Sequence, residues 1–310
     1  MRLTFMGNPQ FAVPSLEKLL SSRHEVAGVV TSPNRPTGRG QKECSPAVAE
    51  YARQNNLNLI QQEDLSEDSF LARLGAMAIA IFVVVAFRIL PASLFNIPPK
   101  GAINLHASLL PKYRGAAPIQ WALINGETVT GLTTFLIEKK VDTGGILLQE
   151  KIEILPDETA DELSSRMAQA GGDLLVKTLD LIESGDYKPI PQDKSKVTKA
   201  PKISAQDGLI DWSWPAGKIV NLIRGLSSRP GAFTHFEGKK LKIYRAQAID
   251  NSDSQHTPGK VISADEKCGL LVGAGSGAVQ ITEIQMEGKK RLPCCDYLRG
   301  CPIKEGHLLV

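Results

Sequence analysis

Two polar side chains alternate at the end of one apolar stretch, in Gly101-Ala102-Ile103-Asn104-Leu105-His106-Ala107. On a strand, Asn104 and His106 share one face while Ile103 and Leu105 share the other. The stretch then breaks at Ser108-Leu109-Leu110-Pro111. Ligands of open α/β sheets sit outside the carboxyl ends of the strands, the place this pair would occupy. An amide and an imidazole there can donate hydrogen bonds to a developing oxyanion. The plain alternative is a histidine and an asparagine satisfied by neighbouring backbone. The pairing, the strand end and the turn that follows favour a site.

A carboxylate can complete the set. Val141-Asp142-Thr143-Gly144-Gly145 lies between the apolar runs Leu132 to Ile137 and Ile146 to Leu148. Alone it reads as an ordinary turn. Folded back against Asn104 and His106, Asp142 would manage a proton while the two donors hold the oxyanion, a combination that suits acyl transfer.

The elements that must position these groups alternate strand and helix, the pattern of a doubly wound, Rossmann-like parallel sheet of α/β class. Strands are expected at Leu3 to Met6, Val26 to Val30, Leu57 to Ile60, Ile79 to Ala86 and Ala102 to His106. The β-branched run ending at Ala86 reads as a central strand buried on both faces. Pro14 opens one helix, with Leu16, Leu19 and Leu20 on its buried face. Ser45-Pro46 is read as cap and first turn of a second helix reaching about Asn55. Thr159-Ala160-Asp161-Glu162 is a capping box for a long helix ending at Gly185.

From Tyr187 to Pro201 the composition changes to prolines among lysines, a linker. The expected division is a first domain over 1–188, a basic linker over 189–204 and a second domain over 205–310. The last begins with a helix from Ala216 to Leu226. Short strands follow at Lys240 to Ala246, Gly259 to Ser263, Leu270 to Val272 and Ala278 to Glu283, a small β-barrel pattern. Gly273-Ala274-Gly275-Ser276-Gly277 mimics a nucleotide loop, but no helix follows it, so it reads as a hairpin turn.

Size and composition set the frame. A chain of 310 residues suits two domains, and 42% hydrophobic with 22% charged residues excludes disorder. The longest apolar run, Leu74 to Phe87, stops at Arg88 and is shorter than the roughly 20 residues of a membrane helix. Met1 to Gly7 lacks the pattern of a signal peptide, and the five cysteines show no Cys-x-x-Cys and no paired histidine spacing. The expectation is a cytoplasmic protein with no metal, no disulfide framework and no membrane partner. Residues 1–185 carry 17 Lys and Arg against 20 Asp and Glu, whereas residues 186–310 carry 19 against 13. An acidic half beside a basic half hints at an anionic macromolecular partner.

The block Asn104-x-His106-x-Ser108-Leu109-Leu110-Pro111, then Arg114-Gly115-Ala116-Ala117-Pro118-Ile119-Gln120, then Asp142-Thr143-Gly144, resembles the folate-dependent formyltransferase superfamily. The blocks Gly7-Asn8-Pro9-Gln10-Phe11-Ala12, Arg35-Pro36-Thr37-Gly38-Arg39-Gly40, Ile210-Asp211-Trp212-Ser213 and Gly288-Lys289-Lys290-Arg291 also resemble those of its tRNA-directed branch, in order. The resemblance implies Asn104, His106 and Asp142 as catalytic groups. It implies Ser108, Leu109, Leu110 and Pro111 as a wall of the tetrahydrofolate pocket, with the loop of Phe87 and Arg88 bordering it. It also implies 10-formyltetrahydrofolate as co-substrate. Where the family often has Tyr-Gly, this chain has Phe87-Arg88. It has Gly145 and Ala80 where the family frequently has Asp.

The acceptor depends on other features. Thr31 to Lys42 carries three cations, Arg35, Arg39 and Lys42, among glycines and prolines. On composition this is either a solvated loop or a basic loop that meets nucleic-acid phosphates. It resembles the loop that enters the acceptor arm of initiator methionyl-tRNA in the tRNA-directed branch, which implies a tRNA partner for these three residues. The second domain is then an OB-like tRNA-binding barrel, and the chain is expected to act as a monomer. Two alternatives stand beside this reading. A sugar-nucleotide formyltransferase would not need the basic loop, and a non-catalytic RNA-binding protein would be expected to have lost part of the trio.

Overall fold

The computed structural model describes residues 1–37, 42–250, 256–300 and 303–310, with Thr37 and Lys42 described by their backbone alone. They divide into two compact units. The first contains Met1–Gly115, Thr130–Ile152 and Ser164–Lys199; the second contains Ala116–Val129, Glu153–Leu163 and Ala200–Val310.

The chain begins with β1 (Arg2–Gly7), α1 (Val13–Leu20), β2 (Glu25–Thr31), β3 (Arg35–Thr37), β4 (Lys42–Cys44), α2 (Ala47–Gln54), β5 (Leu59–Gln61) and α3 (Asp68–Gly75). It continues with β6 (Ile81–Val85), α4 (Ala92–Phe95), β7 (Ala102–His106), β8 (Arg114–Gly115), α5 (Pro118–Ile124), β9 (Val129–Leu136), β10 (Ile146–Glu153) and α6 (Ala160–Ser184). The remaining elements are β11 (Lys199–Ala200), α7 (Ala216–Leu226), β12 (Ala232–Phe236), β13 (Lys239–Ile249), β14 (Val261–Asp265), β15 (Gly269–Gly273), β16 (Ala278–Met286), β17 (Leu292–Pro293) and α8 (Cys294–Leu298).

The main sheet of the first unit has the order β10-β9-β7-β6-β1-β2-β5. Its five strands from β7 to β5 pair in parallel, while β9 joins β7 antiparallel. Strand order reverses between β1 and β6, so the crevice of the open sheet is expected at the carboxyl ends of those two strands, next to β7. Both faces are covered, as the unbroken apolar strands require: all five residues of β6 are buried. Phe82 and Val84 pack with Met6, Phe70, Leu74 and Leu94 on one side. On α6, a Cβ at Gly171 would come within 2.6 Å of Leu105 Cδ2, so glycine lets this helix lie close against β7.

The capping box forms as expected. Thr159 N–H donates to Glu162 Oε2 at 2.9 Å and Glu162 N–H approaches Thr159 Oγ at 3.4 Å. The Ser45-Pro46 reading is corrected: Pro46 is the N-cap residue of α2 and no side chain caps it. Ser45 Oγ instead donates to Asn34 Oδ1 at 2.9 Å and accepts from Arg53, a stronger set of partners than one end amide.

In the second unit the antiparallel sheet runs β12-β13-β16-β15-β14, with β17 beside β16. Its two ends are joined by the last residues. Val310 exchanges both main-chain bonds with His235 of β12, while Leu309 N–H bonds Gly259 O and Val261 N–H bonds His307 O. The sheet therefore closes into a barrel, which removes its exposed edges. Register shifts around Arg245 bring Ala246 inward after Ile243, the action of a bulge. Helix α7 fills one side, and Trp212 in the core donates from Nε1 to Thr234 Oγ at 3.0 Å. The glycine run joins β15 to β16 as a turn, with Gly277 at φ +72° and Ala274 N–H bonded to Gly277 O. Among the described residues no helix is long and apolar enough to cross a membrane.

Candidate active site

The alternation on β7 places Asn104 opposite Phe135 and His106 opposite Thr133 of β9, with Val84 of β6 on the other flank of Asn104. Asn104 lines an open cleft together with Asp142, Phe87, Arg88, Leu90 and Phe135. His106 lies deeper, with 7% of its side chain exposed.

His106 Nε2 is 2.9 Å from the carbonyl oxygen of Tyr113. A carbonyl only accepts, so this nitrogen carries hydrogen. The free Nδ1 then faces Asp142, whose Oδ2 is 3.9 Å away. That is too long for a hydrogen bond but well within Coulombic reach, and Asp142 is itself 10% exposed. Asp142 Oδ2 also accepts the Gly115 N–H at 2.9 Å, which fixes the carboxylate.

The turn that delivers Asp142 needs its residue types. Asp142 has φ +54°, a left-handed conformation that aspartate tolerates better than most residues. A Cβ at Gly144 would lie 1.7 Å from Leu136 O, so no other residue fits that backbone. A Cβ at Gly145 would meet Pro189 Cβ at 2.6 Å. Gly145 is thus matched by a proline packed over it.

The other sequence-derived residues are distributed as follows. Phe87 and Arg88 line the cleft with Asn104 and Asp142. The Arg88 guanidinium is not free: it donates to the carbonyls of Gln62 and Glu63 and stands 5.2 Å from the Phe87 ring centre. Ser108, Leu109, Leu110 and Pro111 are not among the residues that line this cleft. The Ser108 hydroxyl is spent on Lys112 O at 2.6 Å, and Leu110 packs against Phe135 from behind. Of the four, Leu110 backs the wall that Phe135 presents.

Arg35 pairs with Glu63 at 2.7 Å on the surface, Arg39 lies outside the described residues, and only the backbone of Lys42 is described, paired with Thr37. Among the described residues, one group has ligand atoms close enough for a metal ion: His24, Asp180 and Glu183. Both carboxylates are already paired with Arg23, and Glu183 also with the Met1 amine. These cations occupy the place an ion would take.

Sequence reasoning missed the groups that brace the loop after β7 and the Asp142 turn. Thr133 Oγ donates to Ser108 O at 2.6 Å and accepts from Leu110 N–H, while Gln149 Nε2 donates to Leu110 O and Thr133 Oγ, both at 2.9 Å. Gln192, beyond α6, donates to Asp142 O. No periodicity or motif marks these residues, because each acts through a partner distant in sequence.

The formyl transferase family profile matches residues 1–179, and that of the formyl transferase C-terminal domain matches residues 202–302. The chain belongs to the formyl transferase family. The methionyl-tRNA formyltransferase of Pelotomaculum thermopropionicum is 44% identical over all of this chain and 98% of its own length. That of Geobacter sulfurreducens is 42% identical over 99% of this chain and 96% of its own. Among solved structures, an N-formyltransferase from Helicobacter canadensis in complex with folinic acid and dTDP-3-aminofucose superposes with a TM-score of 0.66 at 20% identity, covering 94% of this chain and 99% of that one. HypX from Aquifex aeolicus in complex with tetrahydrofolic acid gives 0.65 at 20% identity, covering 96% of this chain and 47% of that one. At such identities the two structures speak for the fold alone.

Proposed function

We infer that this enzyme transfers the formyl group of 10-formyltetrahydrofolate to the α-amine of initiator methionyl-tRNA, as a cytoplasmic monomer. The observation that carries the chemistry is the convergence of Asn104, His106 and Asp142 at the carboxyl end of β7, beside an open cleft. The acceptor is supported by full-length likeness to methionyl-tRNA formyltransferases at 42–44% identity. The amino-sugar N-formyltransferase from Helicobacter canadensis is 20% identical, a likeness of fold alone.

In this reading the folate sits in the cleft over Phe87, Leu90 and Phe135, with its formyl group toward Asn104. The amine attacks the formyl carbon, the new C–N bond forms and the carbonyl oxygen becomes an oxyanion. The Asn104 amide N–H donates to that oxygen. His106 has committed its Nε2–H to Tyr113, so its Nδ1 is the working atom. As imidazolium it donates to the oxyanion from Nδ1. Asp142 takes the proton that the attacking nitrogen must lose, directly or through a water. The oxyanion collapses to the new amide carbonyl as the C–N10 bond breaks, and N10 receives the proton that Asp142 took, directly or through a water. Arg35, Arg39 and Lys42, with the basic second domain, meet tRNA phosphates.

The test is incubation with 10-formyltetrahydrofolate and either charged initiator tRNA or an amino-sugar nucleotide. Formyl-methionine on tRNA alone is expected; formylation of the sugar alone would overturn the assignment of the acceptor.

A further inference from the structure

The linker between the two family domains does more than connect them. Ile190 exchanges both main-chain hydrogen bonds with Ile146 at 2.8 Å, just beyond the Asp142 turn. Thr198 then accepts the Arg114 N–H through its carbonyl at 2.9 Å and the Tyr113 N–H through its hydroxyl at 2.8 Å. Residues 190–198 thus cross from the loop that bears Asp142 to the loop that supplies the carbonyl for His106 and the N–H for Asp142.

Gln192 lies between these anchors, half-buried, and uses both ends of its amide. Its Nε2 donates to Asp142 O at 3.0 Å and to Gly144 O at 2.8 Å, gripping the turn on either side of Thr143. Its Oε1 accepts from Arg114 Nε at 3.1 Å and from a terminal Arg114 nitrogen at 2.6 Å. The circuit closes on itself, since the residue after Arg114 is Gly115, whose N–H holds the Asp142 carboxylate. Only a planar amide offers two donors on one side and an acceptor on the other, and glutamate of the same shape offers acceptors alone.

We propose that Gln192 is the positioning residue for Asp142. It pins the strained turn at φ +54° and locks it to the Arg114–Gly115 loop, so that Oδ2 stays 3.9 Å from His106 Nδ1. This rests on the reading of Asp142 as the proton-handling group.

The experiment compares Gln192→Ala, Gln192→Glu and Asp142→Asn in the full-length enzyme, together with the double variant Asp142→Asn/Gln192→Ala. The measurements are single-turnover formylation, KM for folate and for tRNA, and thermal melting. Displacing a catalytic group by about 1 Å costs up to about 10²-fold, so each Gln192 variant should lose between about 10- and 10²-fold in turnover, with either KM moving less than about threefold. Gln192→Glu keeps the shape and the acceptor for Arg114, so its loss isolates the two donors. The double variant should be no slower than Asp142→Asn, because the two groups act as one unit. Full turnover in Gln192→Glu, or losses that multiply in the double variant, would overturn the inference. Full turnover in Asp142→Asn would instead overturn the reading of Asp142 on which it rests.

Discussion

Replacing Asp142 by Asn changes one quantity while leaving the geometry in place. The Asn Oδ1 can still accept the Gly115 N–H that Oδ2 holds at 2.9 Å, and a left-handed residue is tolerated as well by Asn as by Asp. What disappears is a negative charge 3.9 Å from His106 Nδ1. Two unit charges about 4 Å apart interact by about 4 kcal/mol at an effective dielectric of 20, a fair value for side chains only 7% and 10% exposed. That is an upper figure for the support an imidazolium in the transition state would lose, and it corresponds to about 10³-fold in rate. Loss of proton handling alone is worth roughly 10²–10⁴-fold. Turnover should therefore fall by about 10²- to 10³-fold, with folate and tRNA affinity changed less than about threefold. Rapid-quench single-turnover formylation, paired with equilibrium binding and a melting curve, measures all three. A folded variant that turns over within about threefold of the parent would refute the Coulombic argument.

Three further outcomes follow from other parts of the molecule. Burial raises the Glu162 pKa, but the Thr159 main-chain bond, then the Arg245 and Thr159 side-chain bonds, outweigh it and hold it at about 2 against an ordinary 4.5. Its contribution is therefore fully present above pH 4.5 and lost as pH falls toward 2; urea titrations of Glu162→Gln should match the parent near pH 2 and fall below it at pH 7. Deleting residues 307–310 removes the four main-chain bonds to His235, Gly259 and Val261, of about 1 kcal/mol each, and the buried Leu309, so hydrogen exchange should accelerate in β12 and at residues 259–261 before it does in β1 or β6. Replacing Arg39 and Lys42 by Ala should weaken tRNA binding and flatten its dependence on salt, leaving folate binding unchanged; equal salt slopes would make the loop a bystander.

Much of this protein could be read from one dimension. Asn104 and His106 were legible because a period of two puts them on one face whatever surrounds the strand, and β7 begins and ends at the residues that pattern marks. The same holds for α7, over Ala216–Leu226, and for the Thr159–Glu162 capping box, whose bonds span three residues. Local chemistry dictated these elements, and tertiary packing had only to accept them. The Ser45 reading went wrong for the complementary reason: its hydroxyl had better partners, Asn34 and Arg53, than the amide of its own helix.

What only the tertiary structure decided is how distant segments meet. The sequence named Asp142 but could not give its 3.9 Å approach to His106, because that distance is set by Gly115, Gly144 and Leu136, each held by its own partners. It assigned the tautomer of His106 to nothing, since the Tyr113 carbonyl that fixes it comes from a loop braced by Thr198. Barrel closure by His307–Val310 and the Gln192 circuit were invisible for the same reason. A main-chain bond or an amide bridge leaves no periodicity behind, so its partner is chosen only when the chain has folded.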